Sequence, residues 1–353
     1  MLLAPADPVT DNRYSRQILF PGIGESGQRR LATAHVAIAG CGATGAAAAS
    51  LLARAGVGTL TLIDRDFVEF SNLQRQVLFD EADARDALPK AEAARRKIAL
   101  FNSAVTVHAR IADLVPANIH ELLVDADILL DGTDNFETRY LLNDYAVQQS
   151  RPWIYAAAIG AYAATMNILP QTKGRSSPDA TACLACIFPK PPAGPVETCD
   201  TSGILSTAVN LAASIQVTEA LKFLTGQTAL MRRSLLSFDL WTTDRSEIST
   251  TTPDPACTVC GLREFTHLAG EGRPHITLCG RNSVQIHEHN RTVDLVAMHA
   301  RLAAHGVVRS NDLLLRFERP PHTLTLFADG RAIIQGTTDA TVARSLYARY
   351  IGS

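Results

Sequence analysis

Gly40, Gly42 and Gly45 occur as G-x-G-x-x-G between an apolar run, His35–Ala39, and an Ala/Leu-rich segment, Ala46–Ala55. Glycines at that spacing let backbone N–H groups approach a phosphate, and the start of a helix adds positive potential there. Asp64 closes the next apolar run, Thr59–Ile63, roughly 20 residues on, where an acid suits ribose hydroxyls. The segment that follows holds Asp66, Asn72 and Arg75, and Lys90 is one of only five lysines in the chain. Asp134 stands in Asp131-Gly-Thr-Asp-Asn135, at the end of the run Ile128–Leu130. Hydride transfer needs no such set of charges. Cleavage of a nucleoside triphosphate needs Arg and Lys on the phosphates and a carboxylate on Mg²⁺.

Cysteine supplies a second kind of chemistry. Cys183-Leu-Ala-Cys186 and Cys257-Thr-Val-Cys260 have the spacing of a four-thiolate zinc site with a long insertion between its halves. Four soft ligands with no fifth candidate point to a closed, structural centre. Cys199, in Glu197-Thr-Cys-Asp-Thr-Ser-Gly203, lies outside both pairs, between a Pro-rich loop and the expected start of a helix. A thiol so placed is either a nucleophile of lowered pKa or a passive side chain, and its position alone leaves both open. Cys41 and Cys279 read as packing residues, and none of the ten histidines has an evident acid partner.

The elements that must position these groups follow from periodicity. Strands are expected at His35–Ala39, Thr59–Ile63, Ala104–Ala109 and Ile128–Leu130, with a hairpin of Trp153–Ala158 and Ala163–Leu169 around Gly160. Helices are expected at Ala46–Ala55, Pro89–Asn102 and Ile204–Thr225, and a further strand at Leu235–Leu240. Alternating strands and helices of this length imply an α/β, doubly wound, Rossmann-like and mostly parallel sheet. Its nucleotide site belongs at the carboxyl ends of the strands, where the charged residues fall. Residues 1–34 form a polar, helix-prone arm with Arg13 and Arg16 near its start, and residues 35–265 the main domain. Residues 274–353 read as a small α+β domain: strand His275–His287, helix Val293–His305, strand Asn311–Glu318, hairpin Thr323–Gln335 and helix Asp339–Tyr350.

Composition excludes several classes. Of the 353 residues, 46% are hydrophobic, enough for two cores, and 33 basic against 35 acidic residues leave a net charge of −2. That balance makes a broad nucleic-acid or anionic-membrane surface unexpected. The uncharged stretches Val36–Ala53 and Thr201–Thr218 are diluted by small and polar residues and read as soluble interior rather than membrane spans. With no secretory leader in evidence, the thiols suit metal in a cytoplasmic protein.

Taken together, RYSRQI at Arg13–Ile18, GCGATG, TLIDRDFVEFSNLQRQ, LPK ending at Lys90, DGTDN and the two C-x-x-C pairs closely resemble the ThiF/MoeB/HesA adenylyltransferases. These are bacterial relatives of ubiquitin-activating enzymes, and the likeness runs from Asp11 to Arg263. The resemblance implies ATP-dependent adenylation of the C-terminal glycine of a small ubiquitin-like sulfur-carrier protein ending Gly-Gly, by a homodimer with structural Zn²⁺. By position it implies that Gly42, Asp64, Asn72, Arg75 and Lys90 bind ATP and that Asp134 holds Mg²⁺. It also implies that Arg16 reaches the phosphates of the neighbouring subunit and that Cys199 is the family's mobile-loop cysteine. Two departures stand out: Ala43 replaces a second consecutive glycine, and the last 80 or so residues are not a rhodanese domain. Rival readings are adenylation of a peptide terminus or a tRNA base, an NAD-dependent oxidoreductase, and a non-catalytic nucleotide-binding adaptor.

Overall fold

The structure is a computed structural model that describes residues 9, 12–171, 179–190, 202–270, 277–278, 283–286 and 292–352. The chain divides into two compact units, and the described residues of the second are 277–278, 283–286 and 292–352.

In the first unit, β1 (His35–Ala39), β2 (Thr59–Ile63), β3 (Thr106–Arg110), β4 (Ile128–Asp131) and β5 (Trp153–Ile159) are followed by β6 (Tyr162–Ile168), β7 (Ser234–Asp239) and β8 (Asp244–Ser249). They form one sheet in the order β3-β2-β1-β4-β5-β6-β7-β8. The pairings from β3 through β5 are parallel, and those from β5 to β8 are antiparallel. The order reverses between β1 and β4, which opens a crevice at their carboxyl ends.

Alternation along β1 explains why helices cover both faces. Val36 and Ile38 pack with Leu60, Leu62, Leu52 and Ala213 on one side, while Ala37 and Ala39 pack with Leu141, Ala146 and Trp153 on the other. Each such Leu or Ile, taken fully out of water, contributes about 1.5–3 kcal/mol. The first face carries helices Ala43–Ala55, Lys90–Phe101 and Ser206–Leu224, and the second carries Phe136–Gln148.

Strands β1 and β2 match their expected bounds, and the hairpin around Gly160 is present as β5 and β6. The helix expected from Ala46 starts three residues earlier, at Ala43, because Ala46 N–H already bonds to Gly42 C=O and Gly42 is the cap. The arm is broken into Asn12–Tyr14, Ser15–Ile18 and Gly24–Thr33.

The second unit holds a six-stranded antiparallel sheet. Its strands are β9 (Thr277–Leu278), β10 (Ser283–Ile286), β11 (Val307–Ser310), β12 (Leu314–Arg319), β13 (His322–Phe327) and β14 (Ala332–Gln335), in the order β11-β12-β13-β14-β10-β9. Helices Leu295–Leu302 and Ala340–Tyr350 cover its core of Phe317, Leu324, Ile334 and Tyr347. The single strand expected at His275–His287 is two short strands paired antiparallel. A separate strand, β11, precedes the one expected from Asn311, whose backbone N–H instead closes a turn onto Leu314 C=O.

Candidate nucleotide site and four-cysteine centre

The glycine loop and the end of β4 interlock. Gly40 has φ +88°, and a Cβ there would lie 2.6 Å from Gly132 O. A Cβ on Gly45 would lie 1.9 Å from Gly40 O, and one on Gly132 2.3 Å from the same oxygen. Backbone against backbone leaves no room for a side chain at any of these three positions. Gly42 differs: an added Cβ would meet only Gly132 O, at 3.8 Å. It caps the helix Ala43–Ala55 with no side-chain hydrogen bond. Its missing side chain therefore serves open space beside unpaired helix N–H groups, a cradle suited to phosphate.

Asp64 is tied to this loop. Its Oδ2 accepts from Cys41 N–H at 2.6 Å and its Oδ1 from Asp66 N–H at 2.7 Å. Burial pushes its carboxyl up, and the charge of Lys90 opposes that. Each oxygen retains a lone pair for a ribose hydroxyl. Asp66 is held against the start of the next helix, since Lys90 N–H bonds to Asp66 C=O at 2.8 Å and Val68 N–H to Leu88 C=O at 2.8 Å. That pairing brings Lys90 Nζ within 3.1 Å of Asp66 Oδ2, with the lysine only 3% exposed.

Asn72 is buried in the turn Phe70–Asn72, where its Oδ1 accepts from Glu69 N–H at 3.1 Å. Arg75 is half-buried and donates to Ser71 C=O at 2.9 Å. Both side chains thus shape this turn before any ligand arrives. Asp134 is exposed, one residue past Thr133, and its neighbour Asn135 caps the helix Phe136–Gln148 by accepting from Thr138 N–H at 2.9 Å.

Sequence reasoning missed what holds Asp134 in place. Asp131 is fully buried, with Oδ2 3.0 Å from Arg139 Nε and Oδ1 accepting from both N–H and Oγ1 of Thr133, at 2.9 and 2.7 Å. Arg139 also donates to Thr133 C=O at 2.7 Å and Ala156 C=O at 3.2 Å. Burial pushes Asp131 up while Arg139 pulls it down; burial works to lower Arg139, but Asp131 holds it above its ordinary value. The sequence offers no more than an acid at the end of one strand and an arginine eight residues on, in a helix with several other polar residues.

Arg16 lies elsewhere. It is exposed on the turn Ser15–Ile18, and the adjacent Gln17 donates to Ala55 C=O at 2.8 Å. Tyr14 and Arg13 bond to Asn102, at the end of Lys90–Phe101. The arm therefore docks on the far ends of two helices whose near ends build the glycine loop and present Lys90. Thirteen residues at 1.5 Å each place Ala55 roughly 20 Å from the loop.

Cys183, Cys186, Cys257 and Cys260 come together, their four sulfurs all within 4.8 Å of one another. Neighbouring Sγ–Sγ separations are 3.9, 3.6 and 3.3 Å. A tetrahedral zinc with Zn–S near 2.3 Å sets its sulfurs ~3.8 Å apart, so the donor set fits that ion. Sulfur–sulfur hydrogen bonds within the cluster push Cys186 and Cys257 down and Cys183 and Cys260 up, so the four thiols share protons, which a bound metal would displace. Cys199 lies outside the described residues, and Cys41 is buried under the glycine loop.

A Bacillus subtilis (strain 168) protein described as sulfur carrier protein ThiS adenylyltransferase is 43% identical over 344 residues, 96% of this chain and 99% of that relative. A Thermus thermophilus sulfur carrier protein adenylyltransferase is 35% identical over 253 residues, 71% of this chain and 90% of the relative. Among solved structures, E. coli MccB with MccA-N7isoASN superposes with TM-score 0.61 at 26% identity, over 71% of this chain and 75% of that one. Residues 14–259 match the ThiF family, a stretch that runs from the arm through all eight strands of the first sheet into the second cysteine pair, and the chain belongs to that family.

Proposed function

We propose that this adenylyltransferase uses ATP to adenylate the C-terminal glycine of a ubiquitin-like sulfur-carrier protein ending Gly-Gly, of the thiamine or molybdopterin type. The observation that carries this reading is the open cradle at Gly42, with Asp64, Lys90 and Asp134 on the loops that border it. The relative described as acting on ThiS aligns over nearly the whole chain, the second unit included, which favours a protein substrate of that kind.

In this reading the glycine-loop N–H groups and Lys90 hold the phosphates, Asp64 holds the ribose, and Asn72 and Arg75 close the site from the adjoining turn. The carrier's terminal carboxylate attacks the α-phosphate in line, and pyrophosphate leaves. Asp134 would hold Mg²⁺, which when bound offsets charge on that leaving group. The protein forms no bond in this step, so positioning and electrostatics supply the rate. Cys183, Cys186, Cys257 and Cys260 would hold a structural Zn²⁺. Cys199 is assigned to a later step, in which its thiol takes the acyl group from the acyl-adenylate as a thioester and AMP leaves.

Arg16 cannot span roughly 20 Å to its own glycine loop, and we assign it to the site of a second copy in a homodimer. We further assign residues 1–34 to the arm, 35–265 to the adenylation domain and 274–353 to an accessory α+β domain. No helix among the described residues is long and apolar enough to cross a membrane. We assign the reaction to the cytoplasm, a reading supported by its need for ATP and by the preference of metal-binding thiols for a reducing compartment. A second reading, adenylation of a free peptide terminus, is favoured by the likeness to MccB, which was crystallised with MccA. ATP–pyrophosphate exchange separates the two. Exchange dependent on a Gly-Gly carrier supports the first reading, exchange driven by an unrelated short peptide the second, and its absence with both defeats each.

A further inference from the structure

One face of the helix Phe136–Gln148 touches both sites described above. At its start Asn135 is the cap and Arg139 clamps the turn through Asp131 and Thr133, which fixes the backbone on either side of Asp134. One turn later the same face meets the cysteine-bearing segments. Asn143 is fully buried, and its Oδ1 accepts from Leu184 N–H at 2.9 Å, next to Cys183. Tyr140 Oη donates to Phe188 C=O at 2.6 Å, two residues past Cys186. Asp144 Oδ2, also fully buried, accepts from His267 N–H at 2.9 Å, beyond Cys260, and the His267 ring stacks on Tyr140 with centroids 5.1 Å apart. Arg139 and Asn143 are four residues apart and therefore neighbours on one stripe, about 6 Å along the axis.

Every residue from Arg139 to Val147 is buried, so the helix has little freedom to shift one end without the other. We propose that this helix couples the four-thiolate centre to the Asp134 loop, with Asn143 as the positioning residue that joins them. A metal on the sulfurs would order the segment 183–188, that segment holds Asn143 and Tyr140, and the helix holds the loop before its cap, where Asp134 stands. The inference rests on the reading that Asp134 binds Mg²⁺, but its structural half does not.

Two measurements test it on the full chain. Hydrogen exchange of residues 131–148 is compared between metal-loaded protein and protein stripped with a chelator. Faster exchange reaching residues 131–139 in the stripped protein is expected, whereas loosening confined to the cysteine segments would overturn the coupling. Asn143→Ala should keep its metal yet raise the KM for Mg–ATP roughly 10–100-fold, the range for losing a supporting contact behind a ligand, with kcat much less affected. Asn143→Asp, which keeps an oxygen for Leu184 N–H, should restore most of that loss. A metal-loaded Asn143→Ala protein with unchanged KM would also overturn the proposal; if that variant does not fold, the exchange comparison on the wild-type chain decides. Faster exchange in residues 131–139 together with an active Asp134→Ala enzyme would keep the coupling and refute only the assigned role of Asp134.

Discussion

Asp131, Arg139 and Asn135 hold the turn around Asp134, whose own side chain is exposed. Asp134→Ala should therefore leave the melting temperature near wild type while pyrophosphate exchange falls roughly 10²–10³-fold, the effect of removing about 2.7–4 kcal/mol of electrostatic stabilisation. Exchange within a few-fold of wild type would remove Asp134 from the site. The glycines make a sharper contrast. At Gly45 a methyl group would collide with Gly40 O at 1.9 Å, so Gly45→Ala should lose roughly 1–3 kcal/mol or more in a denaturant titration. At Gly42 the same methyl group has room, so Gly42→Ala should fold normally and bind ATP weakly. Equal stability in the two variants would contradict the interlock.

At the scale of elements, the four cysteines fasten the helical turn at Leu184–Ile187 to the turns after Asp254, and their separation in sequence makes metal a long-range cross-link. Cys257→Ser should lose the metal, about one zinc per chain by elemental analysis. It should also melt earlier, each kcal/mol lost lowering the midpoint by roughly 2–4 °C in a unit of this size. Metal-free protein of unchanged stability would argue against a structural centre. Much of this scale was legible in advance. The runs HVAIA and TLTLI announce buried parallel strands because no Asp, Glu, Lys or Arg interrupts them, and β1 and β2 have those bounds. The cysteine spacing likewise announced a cluster that the fold assembles. The edge strand β8 was not legible: Asp244–Ser249 is exposed along its whole length and carries no burial pattern to read. Nor was the Asp131–Arg139 pair, since a buried ion pair has no period, and the chain shows its value only once the helix lies across the sheet. In the second unit the short strand β9 blurred the pattern, because two residues are too few to show alternation.

At the scale of the whole molecule, the arm's position sets the test of a shared site. Arg16→Ala and Asp134→Ala subunits, each nearly inactive alone, should regain part of their exchange activity when mixed, because one site of each mixed pair then holds both intact groups. No gain, with subunit exchange confirmed by mass, would place Arg16 in its own chain's site or outside catalysis.

The docking of the arm against Ala55 and Asn102 has a kinetic consequence. In the proposed dimer, an arginine anchored there would be absent from every site of an isolated chain, and a monomer would be not half an enzyme but close to none. Specific activity should then fall on dilution below the dimer's dissociation constant, with the rate approaching the square of the chain concentration. A crowded or highly expressing cell would run this reaction disproportionately faster than a sparse one, and the amount of the protein would itself act as the throttle.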